Sequence, residues 1–210
     1  MGININLEPK KVEQCIDEVG IGYMFAPGFH GAMKYAIGPR KELGIRTIFN
    51  ILGPLTNPAE APYELMGVFN EALVEPLAHV LGKLGCKHAL VVHGNGLDEI
   101  TIESKTKIAE YKDGHVTTYE IKPTDFNIKL ASLSEIKGNS PEDNAKITLS
   151  ILSGKEKGPK RDIVLLNAGA AIYTAGKAKS IKEGIELARN SIDSGKALEK
   201  LNKLKDWTNK

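Results

Sequence analysis

Apolar positions recur at helical spacing over residues 9–19, where Val12, Cys15, Ile16 and Val19 share one face. Pro9 suits the first turn of that helix and Gly20 its stop. From 21 to 58 the periodicity breaks into short pieces punctuated by Gly and Pro, with "GPLTNP" as a candidate hinge. Residues 63–69, "YELMGVF", read as a strand. Leu73, Leu77, Val80, Leu81 and Leu84 then fall at helical spacing over 71–85, and Pro76 requires that helix to start late or to kink. "HALVVHG" (88–94) is apolar on successive residues, as a strand covered on both faces should be. Two β-like runs over 107–121 flank "KDGH", a good hairpin turn. Residues 141–154 predict a helix with Ser140 as N-cap, Pro141 in its first turn and Gly154 as its stop. "DIVLLNAGAAIYTAG" (162–176) reads as a strand running into a small-residue helix. Two C-terminal helices follow, with Ile181, Ile185, Ile192, Leu198, Leu201 and Leu204 as their apolar positions. Helices alternating with strands predict an α/β fold: a mainly parallel sheet flanked by helices, with a small hairpin attached.

Composition narrows the classes of function. The 210 residues carry 28 Lys and Arg against 26 Asp and Glu, a formal net charge of +2 with the signs interleaved. That balance argues against a nucleic-acid footprint and against a membrane surface. The cationic run near the C-terminus, "KLNKLKDWTNK", reads as a solvated helix end. No apolar run approaches the ~20 residues of a bilayer span, and "MGININLEPKK" lacks the pattern of a signal peptide. Cys15 and Cys86 form neither a metal-ligand spacing nor a disulfide framework, and read as free thiols in a reducing cytoplasm.

The chemistry concentrates in "LVVHGNGLDEITIE" (90–103), which places Asp98 and Glu99 just past the end of a strand. Ligands of α/β sheets bind at the carboxyl ends of strands. Glycines in "HGNG" allow close backbone approach. Adjacent carboxylates there suit Mg²⁺, which takes oxygen ligands and shares its shell with substrate phosphates; a solvated turn is the alternative. Arg40 and Arg46 offer planar forks for a carboxylate or phosphate, or are surface residues. His30 reads as a ligand contact or a structural histidine, and His93, at the end of its strand, equally as a ligand contact or as a cap on the loop that follows. The small residues of "NAGAAIYTAG" fit tight packing of a helix on the sheet better than a nucleotide-binding turn, because G-x-G-x-x-G is absent. No Ser-His-Asp, Cys-His, H-E-x-x-H or Walker pattern stands in a supporting context.

At "FAPGFHGAMKYAIGPRKELGIRTIFNILGPLTNP" the chain resembles the anthranilate phosphoribosyltransferases. The resemblance continues through "VVHGNGLDEIT" and "LLNAGAAIYTAG", in the same order, and covers essentially the whole chain. It implies transfer of phosphoribosyl from phosphoribosyl pyrophosphate to the amino group of anthranilate, in tryptophan biosynthesis. Carried over by motif, it makes Asp98 and Glu99 ligands of Mg²⁺ and Arg40, in "GPRKELG", the contact to the anthranilate carboxylate. Arg46 falls outside that role, and no side chain is assigned as catalytic. It further implies an α/β phosphoribosyltransferase domain over 1–20 and 56–210, with 21–55 belonging to a small helical domain and "GPLTNP" as the hinge between them. The family's upstream "GTGGD" and "KHGN…SS" phosphate-binding motifs do not occur. The chain therefore resembles the C-terminal portion of the enzyme, and is expected to be inactive alone. The family is homodimeric largely through the helical domain, which leaves dimerisation of this chain open. The alternatives are a pyrimidine nucleoside phosphorylase-like enzyme, which does not share the "RTIFNILGPLTNP" wording, and a non-catalytic nucleic-acid-binding relative of the same fold, which the mixed charge disfavours.

Overall fold

The computed structural model describes residues 1–29, 42 and 49–210. His30, Arg40 and Arg46 lie outside the described residues. The chain groups into two compact units, Met1–Pro58 with Lys196–Lys210, and Ala59–Gly195. These are drawn differently from the expected division, since residues 1–20 fall with 21–58 and the C-terminal helix.

In the first unit, helix α1 (Pro9–Val19) starts with Pro9 in its first turn and ends at Gly20, whose φ of 84° makes the left-handed C-cap. It buries Val12, Cys15 and Val19, whereas Ile16 stays partly exposed at the margin of that face. Two short helices follow, α2 (Ala26–Phe29) and α3 (Phe49–Leu55), and Pro54 of the expected hinge lies inside α3. The last helix, α9 (Lys196–Thr208), packs on α1 through Leu204, against Cys15 and Val19. Polar bonds close the same seam: Trp207 Nε1 donates to Glu18 at 2.8 Å, and Lys200 Nζ donates to the Val19 carbonyl.

The second unit is built on a sheet ordered β1-β2-β3-β4: β1 (Tyr63–Gly67), β2 (His88–His93), β3 (Thr106–Lys112) and β4 (His115–Ile121). Strands β1 and β2 are parallel and joined by helix α4 (Val74–Lys83). That helix does start late, after a 3-10 turn at Glu71–Leu73, so Pro76 sits in its first turn where no N–H is missed. The α/β class is as expected, but parallel pairing is confined to β1–β2. The β3–β4 hairpin is continuous with the sheet, β3 pairing antiparallel to β2 from His88↔Lys112 to His93↔Lys107. Its turn, Asp113 and Gly114, has φ of 50° and 83°, the left-handed pair that a two-residue hairpin requires.

Four helices follow: α5 (Leu133–Ile136), α6 (Pro141–Leu152), α7 (Pro159–Thr174) and α8 (Ile181–Asp193). Ser140 caps α6 as its position implies, its hydroxyl accepting from the Asp143 N–H at 3.1 Å. The strand expected within 162–176 is not formed; helix α7 runs through it from Pro159. In the apolar run 163–166, Ile163, Leu165 and Leu166 are buried, with the sheet on one side of α7 and α8 on another, while Val164 is exposed. Its small residues serve packing, as expected. A Cβ on Gly184 would stand 2.1 Å from the Gly169 carbonyl oxygen, so α7 and α8 meet backbone to backbone.

Sheet alternation divides the core. His88, Leu90 and Val92 share the register face of Leu65, Gly67, Ile108 and Glu110, the side that carries α7. The opposite face holds Met66, Ala89, Val91 and Tyr111 under α4, where Gly82 leaves room for the Tyr111 ring.

Candidate functional site

A cleft of about 420 Å³ opens between the carboxyl ends of β1 and β2 and helix α7. Gly67 and Val92 form its floor, Ala168 and Asn167 one wall, and Asp98 and Glu99 its rim. The order of residues explains this placement. Strand β2 ends at His93, and Asn95–Gly96 turn the chain back with φ of 51° and 92°, paired through Gly94 N–H to Leu97 O and Leu97 N–H to Gly94 O, at 3.0 and 3.1 Å. Asp98 and Glu99 come next and are exposed; then Ile100, Thr101 and Ile102 enter the core with no accessible surface. The acid pair thus occupies the last solvated positions before a buried anchor.

Glycines make the crossing possible. The Asp98 carbonyl lies over the end of β1, where a Cβ on Gly67 would stand 1.6 Å from its oxygen. A Cβ on Gly94 would meet the Glu99 carbonyl oxygen at 2.4 Å. Of the two roles open to His93, the structure shows the cap. Its Nδ1 lies 2.7 Å from the Val68 carbonyl, which can only accept, so Nδ1 carries the proton and Nε2 accepts from the Gly96 N–H at 3.1 Å.

Neither Asp98 nor Glu99 pairs with a cationic side chain among the described residues. Partial desolvation, and then the Asp98 charge beside it, pushes the Glu99 carboxyl above its ordinary value. Two like charges are thus adjacent, with no opposite charge paired to either among the described residues. Among the described residues no group of three or more His, Cys, Asp or Glu is assembled for a metal. A hard cation that takes two carboxylates and completes its shell with water and phosphate needs no such group.

The model of the glycosyl transferase family, a/b domain, matches residues 1–198. The chain belongs to this glycosyltransferase family. The chain is 53% identical over 210 residues to the anthranilate phosphoribosyltransferase of Acetivibrio thermocellus, covering 100% of this chain and 61% of the relative. That of Methanosarcina barkeri is 52% identical over 208 residues, 99% of this chain and 57% of the relative. Among solved structures, the anthranilate phosphoribosyltransferase of Thermus thermophilus superposes with a TM-score of 0.93 at 41% identity, over 100% of this chain and 62% of that one. The Saccharomyces cerevisiae enzyme in complex with PRPP and Mg gives a TM-score of 0.89 at 29% identity, over 99% of this chain and 60% of that one. The chain therefore spans about three fifths of the length of the relatives it matches.

Two residues of the cleft escaped the sequence reading. Gly67 looked like an ordinary strand residue, since nothing local reveals what crosses above it. Asn167 was hidden by the misread strand; helical phasing from Ile163 to Ala170 would have turned it toward the sheet. Its side chain exchanges bonds with Ile100 in both directions, accepting from the N–H through Oδ1 at 2.9 Å and donating to the carbonyl through Nδ2 at 2.9 Å.

Proposed function

We propose that this chain forms the larger part of an anthranilate phosphoribosyltransferase, a cytoplasmic pentosyltransferase of tryptophan biosynthesis. It would join phosphoribosyl pyrophosphate and anthranilate to give phosphoribosyl-anthranilate and pyrophosphate. The observation that carries this reading is the Asp98–Glu99 pair on the rim of the β1–β2 cleft, which no cation neutralises among the described residues, in a chain half identical to enzymes of that name. Asp98 and Glu99 hold a Mg²⁺ ion, which when bound offsets the negative charge that develops on departing pyrophosphate. The residues' own part is to keep two carboxylates adjacent, anionic and open to a phosphate-bearing ligand. Arg40 takes the anthranilate carboxylate; a planar guanidinium orients the ring and leaves the neutral amine free to attack. No side-chain nucleophile is required, because the amine attacks the ribose carbon directly.

The test is loss of anthranilate fluorescence with phosphoribosyl pyrophosphate and Mg²⁺, the unmatched upstream segment of the Acetivibrio thermocellus relative being supplied in trans. The mixture is expected to turn over, this chain alone to stay at background, and Asp98→Asn with Glu99→Gln to reduce turnover at least ~100-fold, in line with the loss of a main electrostatic stabiliser. A mixture that turns over equally well without the two carboxylates overturns the reading.

A further inference from the structure

We infer that Asn167 is the positioning residue for the acid pair: through Ile100 it fixes the backbone that presents Asp98 and Glu99 to a cation. This rests on the reading of those two carboxylates as cation ligands. Three observations lead to it.

First, the loop is tied down on either side of the acids and, among the described residues, left open between. Upstream the tie is His93, through Val68 and Gly96. Downstream the first bonds are those of Asn167 to the N–H and carbonyl of Ile100, the residue next to Glu99. Second, the orientation of the amide is determined. The Ile100 N–H can only donate, so the atom facing it is Oδ1; Nδ2 then faces two acceptors, Ile100 O and Ile163 O, at 2.9 and 3.0 Å. Both amide hydrogens are engaged, so the rotamer is held from within α7. No aliphatic residue, and no hydroxyl with a single hydrogen, can make this set of bonds. Third, Asn167 and its neighbour Ala168 line the same cleft as Asp98 and Glu99, so the tie runs across the site. A pair of carboxylates at the exposed crest of a loop would spread under mutual repulsion. The two-way bond to Ile100 opposes that spreading one residue away.

The probe is Mn²⁺ alone, its binding followed by electron paramagnetic resonance on the full 210-residue chain, with amide exchange at Ile100 measured in parallel. Asn167→Leu keeps the volume and removes the bonds; Asn167→Ser is the smaller change, and keeps the comparison available if the leucine variant does not fold. Tyr173→Phe, on the same helix but bonded to Glu110, serves as a control for general loosening of α7. The Asn167 variants are expected to weaken Mn²⁺ at least fivefold and to accelerate Ile100 exchange at least tenfold, while Tyr173→Phe changes neither. Asn167 variants that fold and bind Mn²⁺ as the unaltered chain does overturn the inference and leave the acid-pair reading intact. An unaltered chain that binds no Mn²⁺, or binds it equally after Asp98→Asn, removes that reading, and the inference with it.

Discussion

Two ends of one sheet hold carboxylates in opposite circumstances. At the amino end of β2, Glu110 is almost enclosed and takes three hydrogen bonds: His88 Nε2 at 2.8 Å, Tyr173 hydroxyl at 2.7 Å and Tyr119 hydroxyl at 2.9 Å. The His88 and Tyr173 rings meet edge to face, 5.1 Å apart. At the carboxyl end, Asp98 and Glu99 are adjacent and have no such partners among the described residues. Burial alone would push the Glu110 carboxyl up, yet the bonds from Tyr173, Tyr119 and His88 outweigh it and hold it below its ordinary value. Burial drives the Tyr173 hydroxyl to about 12 and raises Tyr119 further, so both remain donors. Glu99 shifts upward. A carboxylate that the fold uses for its own stability is surrounded by donors. One left beside a like charge at the edge of a cleft costs stability, and a ligand is the usual reason for keeping it.

The largest expected effect is at the carboxyl end. Gly67→Ala places a methyl group on the backbone of Asp98, where no side chain can move aside. The loss should reach or exceed ~3 kcal/mol, the upper end of ordinary overpacking, and urea denaturation measures it. A loss below ~1 kcal/mol would show that the loop over β1 yields easily, and would undo the picture of a fixed rim.

Glu110→Ala at the other end strands three donors in a nearly closed site, at about 3 kcal/mol or somewhat less; Glu110→Gln keeps one acceptor oxygen and should lose about 1–2 kcal/mol. The pH dependence has a definite sign. Folding lowers this pKa, so the unfolded chain binds the proton more readily, and the contribution is complete above the ordinary glutamate value. It disappears as pH falls through the lowered value. The gap in urea midpoint between the unaltered chain and Glu110→Gln should therefore be constant near neutrality. It should narrow once the pH passes below roughly 4.3. A gap that instead widens in acid contradicts the assignment of Glu110 as a stabilising anion.

The two ends also differ in how much of them the sequence discloses. The place of Asp98 and Glu99 beyond the end of β2 was legible because an apolar run, a Gly-rich turn and adjacent acids are all local signals. The Glu110 cluster was not, since its members come from β2, β3, β4 and α7, and only register brings His88, Glu110 and Tyr119 together. The same limit hid Gly67 and Asn167, whose roles depend on what crosses them from 31 and 67 residues away. The strand misread within 162–176 has a related cause: a short continuous apolar run does not distinguish a buried strand from a helix, and here only Pro159 marks the helix start. Where chain-local chemistry decides, as in the Asp113–Gly114 turn or the Ser140 cap, sequence and structure agree.

The smallest effect is the sharpest discriminator. Folding raises the Glu99 pKa, so the folded chain binds the proton more readily than the unfolded one. Stability falls as pH climbs from the ordinary glutamate value to the raised one, and above that the whole cost is present. Glu99→Gln removes it. Because Glu99 is open to solvent, screening leaves a gain of only a few tenths of a kcal/mol at pH 7 without divalent cations. The sign is what matters, since the same chemical change destabilises at Glu110 and stabilises at Glu99. Stability gained where activity is lost is the mark of a residue kept for its ligand. A Glu99→Gln chain with a lower urea midpoint than the unaltered one would make the acid pair a structural element and collapse the contrast between the two ends.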